Sequence, residues 1–273
     1  MALTLGTGPF ASPPGGEFNF TRPRDHVLYL EGSPRRVRIE FNGGIVADST
    51  QVKLLHETGL LPVYYFPQQD VRMDLLAPTE KHTTCPVKGE ASYFTLTVGD
   101  RSAADAIWTY PEPLDDAPKE LAGLVAFYWN KMDAWYEEDE QVGVHPRDPY
   151  HRVDALRSAR RVKVVIDGQV VAESERPVML FETGLPPRFY LPPEDVRADV
   201  LEDSDHHTGC PYKGTASYKS VAVNGTTHEN LVWYYPEPDE GISVITGRYA
   251  FYNEKVDLEI DGEPLDRPVT PFS

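Results

Sequence analysis

The sequence predicts a β-dominated protein built from two tandem repeats, each a small barrel or two-sheet sandwich of short strands. Three observations lead there. Residues 85–93 return as residues 210–218, both reading Cys-Pro-x-Lys-Gly-x-Ala-Ser-Tyr at a displacement of 125, and self-similarity at a fixed distance marks a duplicated unit. Apolar and polar residues alternate in short runs closed by Gly, Pro, Asn or Asp, the pattern of half-buried strands. Only residues 52–57 come near a helical period, and that run is short.

Taken in order, residues 1–21 carry Gly, Pro and small residues with no basic start and no apolar core, so they are expected to be a flexible lead-in rather than a signal peptide. The first repeat is expected over 22–133. Val37, Ile39 and Phe41 alternate, Asn42-Gly43 accepts the positive φ angles of a tight hairpin, and Ile45-Val46-Ala47 returns as the partner strand. The second copy repeats the plan with Val162, Val164 and Ile166, the turn Asp167-Gly168, and Val170-Val171-Ala172. Glu57-Thr58-Gly59-Leu60 is mirrored by Glu182-Thr183-Gly184-Leu185. Aromatic runs then end in Pro67 and Pro192, which block further ladder pairing. Strands are expected over 91–98 and 216–223, and again at Trp108 and Trp233. Ala126-Phe127-Tyr128 matches Ala250-Phe251-Tyr252 with the displacement now 124. An acidic linker is expected over 134–144, the second repeat over 145–261 (its start set by the match of Pro146-Arg147-Asp148 to Pro23-Arg24-Asp25), and a tail over 262–273.

A chain of 273 residues with 40% hydrophobic residues, 15 Tyr and 11 Phe can bury a core in each half. Its net charge of −17 argues against nucleic-acid partners, because phosphate binding needs clustered Lys and Arg. The acid runs at 137–140 and 257–266 read as solvated surface. No apolar run approaches a membrane span, so no membrane partner is expected. The two cysteines sit at equivalent places of separate repeats, so no disulfide is expected and a reducing, cytoplasmic setting fits.

The string formed by Val46 to Ser49, Glu57, Tyr64-Tyr65, Pro67, Asp70-Val71, Thr84-Cys85-Pro86, Lys88-Gly89, Ala91-Ser92-Tyr93, Trp108, Tyr110-Pro111 and Ala126-Phe127-Tyr128 resembles the family called domain of unknown function 427, sometimes labelled nucleotidyltransferase-like. The second copy keeps it with Ala172-Glu173-Ser174, Phe189-Tyr190, Cys210-Pro211-Tyr212-Lys213-Gly214 and Trp233. The resemblance covers residues 35–132 and 160–256. It implies a compact, mostly β domain in tandem and carries no established activity. The nucleotidyltransferase label finds no support in the residues: there is no Gly-Ser followed by an Asp-x-Asp pair, and no Walker loop.

Two readings stand for each candidate residue. Cys85 and Cys210 are nucleophiles if a nearby cation, Lys88 or Lys213, stabilises the thiolate, and otherwise small buried hydrophobes. Lys88 and Lys213, each beside a Gly, either aim an ammonium at a ligand or lock the loop through an ion pair with Glu57 or Asp70. Glu57 and Glu182 are acid–base candidates or capping acids. No cofactor is indicated. Zinc at His82, Cys85, His207 and Cys210 is disfavoured, since paired ligand spacing is absent.

The favoured reading is a small-molecule pocket, for a polar or anionic ligand, at the Cys-Pro-x-Lys-Gly motif of each repeat. Cys210, Lys213, Glu182, Cys85, Lys88 and Glu57 are its catalytic candidates. Arg188, Tyr190, Tyr212, Tyr218 and Trp233, with Tyr65, Tyr93 and Trp108, are the expected lining. The rival is a non-catalytic interaction or scaffold protein whose motif is an internal lock. The second repeat is expected to be the better site, because Arg188 and Tyr212 stand there in place of Val63 and Val87.

Overall fold

A computed structural model describes residues 26–273; the lead-in expected over 1–21, and residues 22–25, lie outside the described residues. Repeat one contains β1 (Leu28–Gly32), β2 (Val37–Phe41), β3 (Gly44–Ser49), β4 (Lys53–Glu57), β5 (Val63–Pro67), β6 (Leu76–Cys85), β7 (Gly89–Val98), β8 (Arg101–Thr109), β9 (Leu124–Phe127), β10 (Ala134–Glu137) and β11 (Glu140–Gln141). They form a seven-stranded sheet in the order β1-β4-β5-β9-β8-β7-β6 and a four-stranded sheet β11-β10-β2-β3. The architecture is a two-sheet sandwich rather than a closed barrel.

Repeat two contains β12 (Val153–Arg157), β13 (Val162–Ile166), β14 (Gln169–Ser174), β15 (Val178–Glu182), β16 (Arg188–Tyr190), β17 (Leu201–Cys210), β18 (Gly214–Val223), β19 (Thr226–Tyr234), β20 (Ala250–Phe251), β21 (Asp257–Ile260) and β22 (Glu263–Leu265). Its small sheet runs β14-β13-β21-β22. The ladders β12-β15-β16 and β20-β19-β18-β17 are joined by reciprocal backbone hydrogen bonds between Leu191 and Tyr249, at 2.8 and 2.9 Å. That junction restores the strand order of repeat one.

The hairpin turns follow from residues that accept positive φ. Asn42 (48°) and Gly43 (72°) join β2 to β3, and Asp167 (48°) and Gly168 (77°) join β13 to β14. Between the two sheets lies a core that includes Ile39, Phe41, Leu54, Phe66, Ile107 and Phe127 in repeat one and Val164, Ile166, Phe189, Val232 and Phe251 in repeat two. The large sheet is buried on its other face as well. Leu55, Tyr65, Tyr93 and Ala126, each on the opposite side of its strand from a residue of the first core, make a second cluster with Tyr110, the residue after β8, matched by Leu180, Tyr190, Tyr218, Ala250 and Tyr235. The motif turn belongs to this second, tyrosine-rich face.

Two expectations about boundaries are corrected. Residues 134–144 are not a linker throughout: Ala134–Glu137 is a strand that pairs with β2, with Trp135 opposite Ile39 and buried in the core. Residues 262–273 are likewise not a free tail, since Glu263–Leu265 pairs with β21. The chain divides into its two compact units between Asp148 and Pro149. Among the described residues no helix is long and apolar enough to cross a membrane.

Candidate functional site

In each repeat the Cys-Pro-x-Lys-Gly segment is the hairpin turn from β6 to β7 or from β17 to β18, with Cys85 opposite Gly89 and Cys210 opposite Gly214. Gly89 has φ +107°, and a Cβ there would stand 3.1 Å from the carbonyl oxygen of Glu112; Gly214, at φ +92°, meets the carbonyl of Glu237 at the same distance. Only glycine meets both conditions cheaply. The Pro-Glu-Pro loop that crowds the glycine also holds the turn, the Leu114 N–H donating to the Lys88 carbonyl at 3.1 Å. So fixed, the turn directs its lysine inward.

There Lys88 Nζ donates to Glu57 Oε2, and His26 Nε2 donates to Glu57 Oε1 at 2.8 Å. In repeat two Lys213 Nζ donates to Glu182 Oε2, and His151 Nε2 donates to Glu182 Oε1 at 3.1 Å. The glutamate ends β4 or β15, and the threonine after it brings the imidazole alongside. Thr58 donates its N–H to the Val27 carbonyl and accepts the Val27 N–H at its hydroxyl, and Thr183 does both with Arg152. This accounts for the Glu-Thr pair in the sequence.

Both lysines and both glutamates of these sites are nearly withdrawn from solvent. Burial pushes the Glu182 carboxyl up, but the hydrogen bond from His151 and the charge and hydrogen bond of Lys213 outweigh it and hold the group at about 2. An ionised glutamate accepts from both neighbours, so the histidine proton sits on Nε2 and Nδ1 is the nitrogen left to bind a proton or a ligand. Among the described residues nothing hydrogen-bonds His26 Nδ1. A carboxylate-oriented imidazole of this kind can accept a proton from a bound molecule.

Access separates the repeats. The His26 side chain is 38% exposed and the His151 side chain 14%. Tyr212 stacks on His151, ring centroids 4.1 Å apart and 17° from parallel, and Val87 stands at the corresponding place in repeat one. Beside Val87 a groove of about 490 Å³ opens, lined by His26 to Leu28, Pro86, Val87 and Leu114 to Asp116.

The remaining candidates are placed as follows. Cys85 and Cys210 are free and half-buried at the start of the turn. Burial pushes the Cys210 thiol up, more than the charge of Lys213 draws it down, so that sulfur stays protonated near neutrality. Tyr65 and Tyr190 accept the indole N–H of Trp108 and Trp233 at 3.2 and 2.9 Å. Tyr93 and Tyr218 share hydrogen bonds with Thr83 and Thr208 at 2.8 Å. All of these rings pack in or against the second cluster, and none lines the groove. Arg188, expected to face a ligand, is buried and makes two 2.7 Å hydrogen bonds to Glu254. Arg188 and Lys213 are therefore both neutralised by carboxylates, and Tyr212 covers the imidazole instead of opening a pocket. The two features expected to favour the second repeat, a ligand-facing Arg188 and an open Tyr212, are not present.

His26 and His151 were not among the sequence candidates. They stand 125 residues apart, as the two glutamates and the two lysines do, but the Pro-Arg-Asp match beside them is displaced by 123 and hides the pairing. No curated protein matches the chain. The family profile described as domain of unknown function DUF427 matches it twice, over residues 29–138 and 154–262. The chain belongs to the DUF427 family, as two copies in tandem.

Proposed function

We propose that repeat one is a small-molecule binding module whose groove at the Cys-Pro-x-Lys-Gly turn presents the His26 imidazole to a polar ligand. The observation that carries this reading is a groove-lining imidazole with Nε2 committed to Glu57 and Nδ1 unengaged among the described residues. Glu57 fixes the tautomer, and Lys88 fixes Glu57; neither meets the ligand directly. In such a site His26 is the proton acceptor if a reaction takes place, while Leu28, Pro86 and Val87 supply the apolar surface against which a small molecule loses water. The anionic preference is dropped, because the lysine charge is spent on Glu57 and the groove's own charged groups are Asp115 and Asp116. With a net charge of −17, small molecules in the cytoplasm remain the proposed partners in place of nucleic acid.

A lock is the reading for repeat two, favoured by the Tyr212 ring that seals His151. A ligand-observed NMR screen of polar heterocycles and amines tests the assignment. Hits should lose at least tenfold in affinity on His26→Ala and on Val87→Tyr, and keep it on His151→Ala. Hits insensitive to both repeat-one variants would overturn the proposal.

A further inference from the structure

The buried pair Arg188–Glu254 has a cover with no counterpart among the described residues of repeat one. Residues 268–273 fold back on repeat two, where Thr270 Oγ1 donates to Glu254 Oε1 at 2.6 Å. The Phe272 ring stands 6.2 Å from the Tyr252 ring and 5.9 Å from the Arg188 guanidinium, which is also 5.6 Å from the Trp233 ring. Phe272 and Ser273 donate their N–H groups to the Thr270 hydroxyl and carbonyl, closing the segment into a compact turn. The Glu254 side chain is 0% exposed, so the threonine hydroxyl satisfies a carboxylate that already takes two hydrogen bonds from Arg188. At the corresponding positions repeat one has Val63 and the exposed Asn130, neither of which can make this floor.

The segment is held by two side-chain anchors. Val269 is 91% exposed, and Phe272 keeps 43% of its surface in solvent. A short, mostly exposed segment with so few anchors opens at little cost. What it leaves behind is a carboxylate aimed at a hydroxyl donor, beside a guanidinium and a tyrosine ring that receive an aromatic side chain two residues on. Recognition of a short turn-forming segment by one buried polar contact and one aromatic anchor is a peptide-binding chemistry.

We propose that repeat two carries a peptide-recognition cleft, floored by Arg188 and Glu254, which residues 268–273 occupy in cis. The cleft accepts in their place a segment from a partner protein with Thr or Ser two residues before an aromatic side chain. The groove of repeat one is a separate site, and this cleft does not depend on it.

The probe is a fluorescein-labelled synthetic peptide of residues 266–273, titrated into the 273-residue chain and followed by anisotropy. Thr270→Val/Phe272→Ala weakens the internal segment and should bind the peptide saturably, at least tenfold more tightly than the wild type, where the tethered copy competes at high effective concentration. A peptide with Val in place of the threonine should bind that variant at least tenfold more weakly. Phe272→Ala alone, which leaves the ion pair and the threonine contact in place, serves if the double variant fails to fold. Absence of binding to a folded variant, or equal binding of the Thr and Val peptides, overturns the proposal.

Discussion

The two repeats share a sheet order and the His–Glu–Lys arrangement, and differ in what lies over them. In repeat one a valine leaves the imidazole at the edge of a groove; in repeat two a tyrosine ring lies flat on it. At the next strand repeat one has a valine, and repeat two has an arginine paired with a glutamate beneath a folded-back segment. The shared residues, glycine, lysine, glutamate and threonine, therefore build the turn and hold the imidazole. Those that differ decide whether anything can reach it. Duplication has kept a frame and let its openings diverge.

The largest expected effect removes the cation from the closed frame. Lys213→Ala leaves the Glu182 carboxylate buried and uncompensated, at a cost of ~3–5 kcal/mol. Lys88→Ala strands Glu57 beside a histidine that water reaches, so the cost falls to ~1–3 kcal/mol, the penalty of a partly rehydrated unsatisfied group. Hydrogen exchange at amides of β7 and β18 reads each repeat separately. Equal losses, or a greater loss in repeat one, would break the distinction between open and closed frames. Replacing both partners in repeat two, with Lys213→Met and Glu182→Leu, should recover most of the stability.

Acid provides the next test. The folded-state value of Glu182, about 2, lies below the ordinary 4.5, so its contribution is complete above pH 4.5 and disappears as the pH falls through 2. The shift corresponds to ~3 kcal/mol at 1.36 kcal/mol per unit. Unfolding free energies for repeat two, measured from pH 5 to pH 2, should fall by about that amount more in the native protein than in the Lys213→Met/Glu182→Leu protein. There Glu254, Asp195 and Asp261, also held below their ordinary values by their partners, still lose stability in acid. An equal fall in the two proteins would assign the acid sensitivity to those other carboxylates.

Much of the frame is legible in the sequence because it depends on local chemistry. Asn42-Gly43 and Asp167-Gly168 announce their hairpins. What stays hidden depends on partners distant along the chain. Arg188 reads as ligand-facing because Glu254, its counter-charge, lies 66 residues further on. Glu137 reads as one of a run of solvated acids, yet it is buried and accepts from Tyr64 and Arg35 at 2.9 and 3.0 Å. Trp135, two residues earlier, is the sign that the run begins inside a strand. Apart from Tyr212, the aromatic residues expected as pocket lining pack in or against the core because the large sheet is covered on both faces, which alternation along one strand does not reveal.

The smallest expected effect on stability gives the most direct reading of access. Exchanging the covering residues, as Val87→Tyr and Tyr212→Val, changes one partly exposed ring at a turn and should alter the stability of either repeat by ~1 kcal/mol or less, the scale of a single aromatic contact. Its effect on the imidazoles should be far larger. Diethyl pyrocarbonate acylates an accessible neutral imidazole, and mass spectrometry of the digested protein resolves the modification of His26 from that of His151. In the native chain His26 should react several-fold faster, in keeping with side-chain exposures of 38% and 14%. In the exchanged protein the order should invert, because the ring that shields His151 has been moved to shield His26. The glutamate contact on Nε2 is common to both histidines and cannot produce the inversion. Were His26 to stay the faster under Val87→Tyr, its reactivity would belong to its backbone position rather than to the missing ring, and the residue at 87 and 212 would no longer separate the open repeat from the closed one.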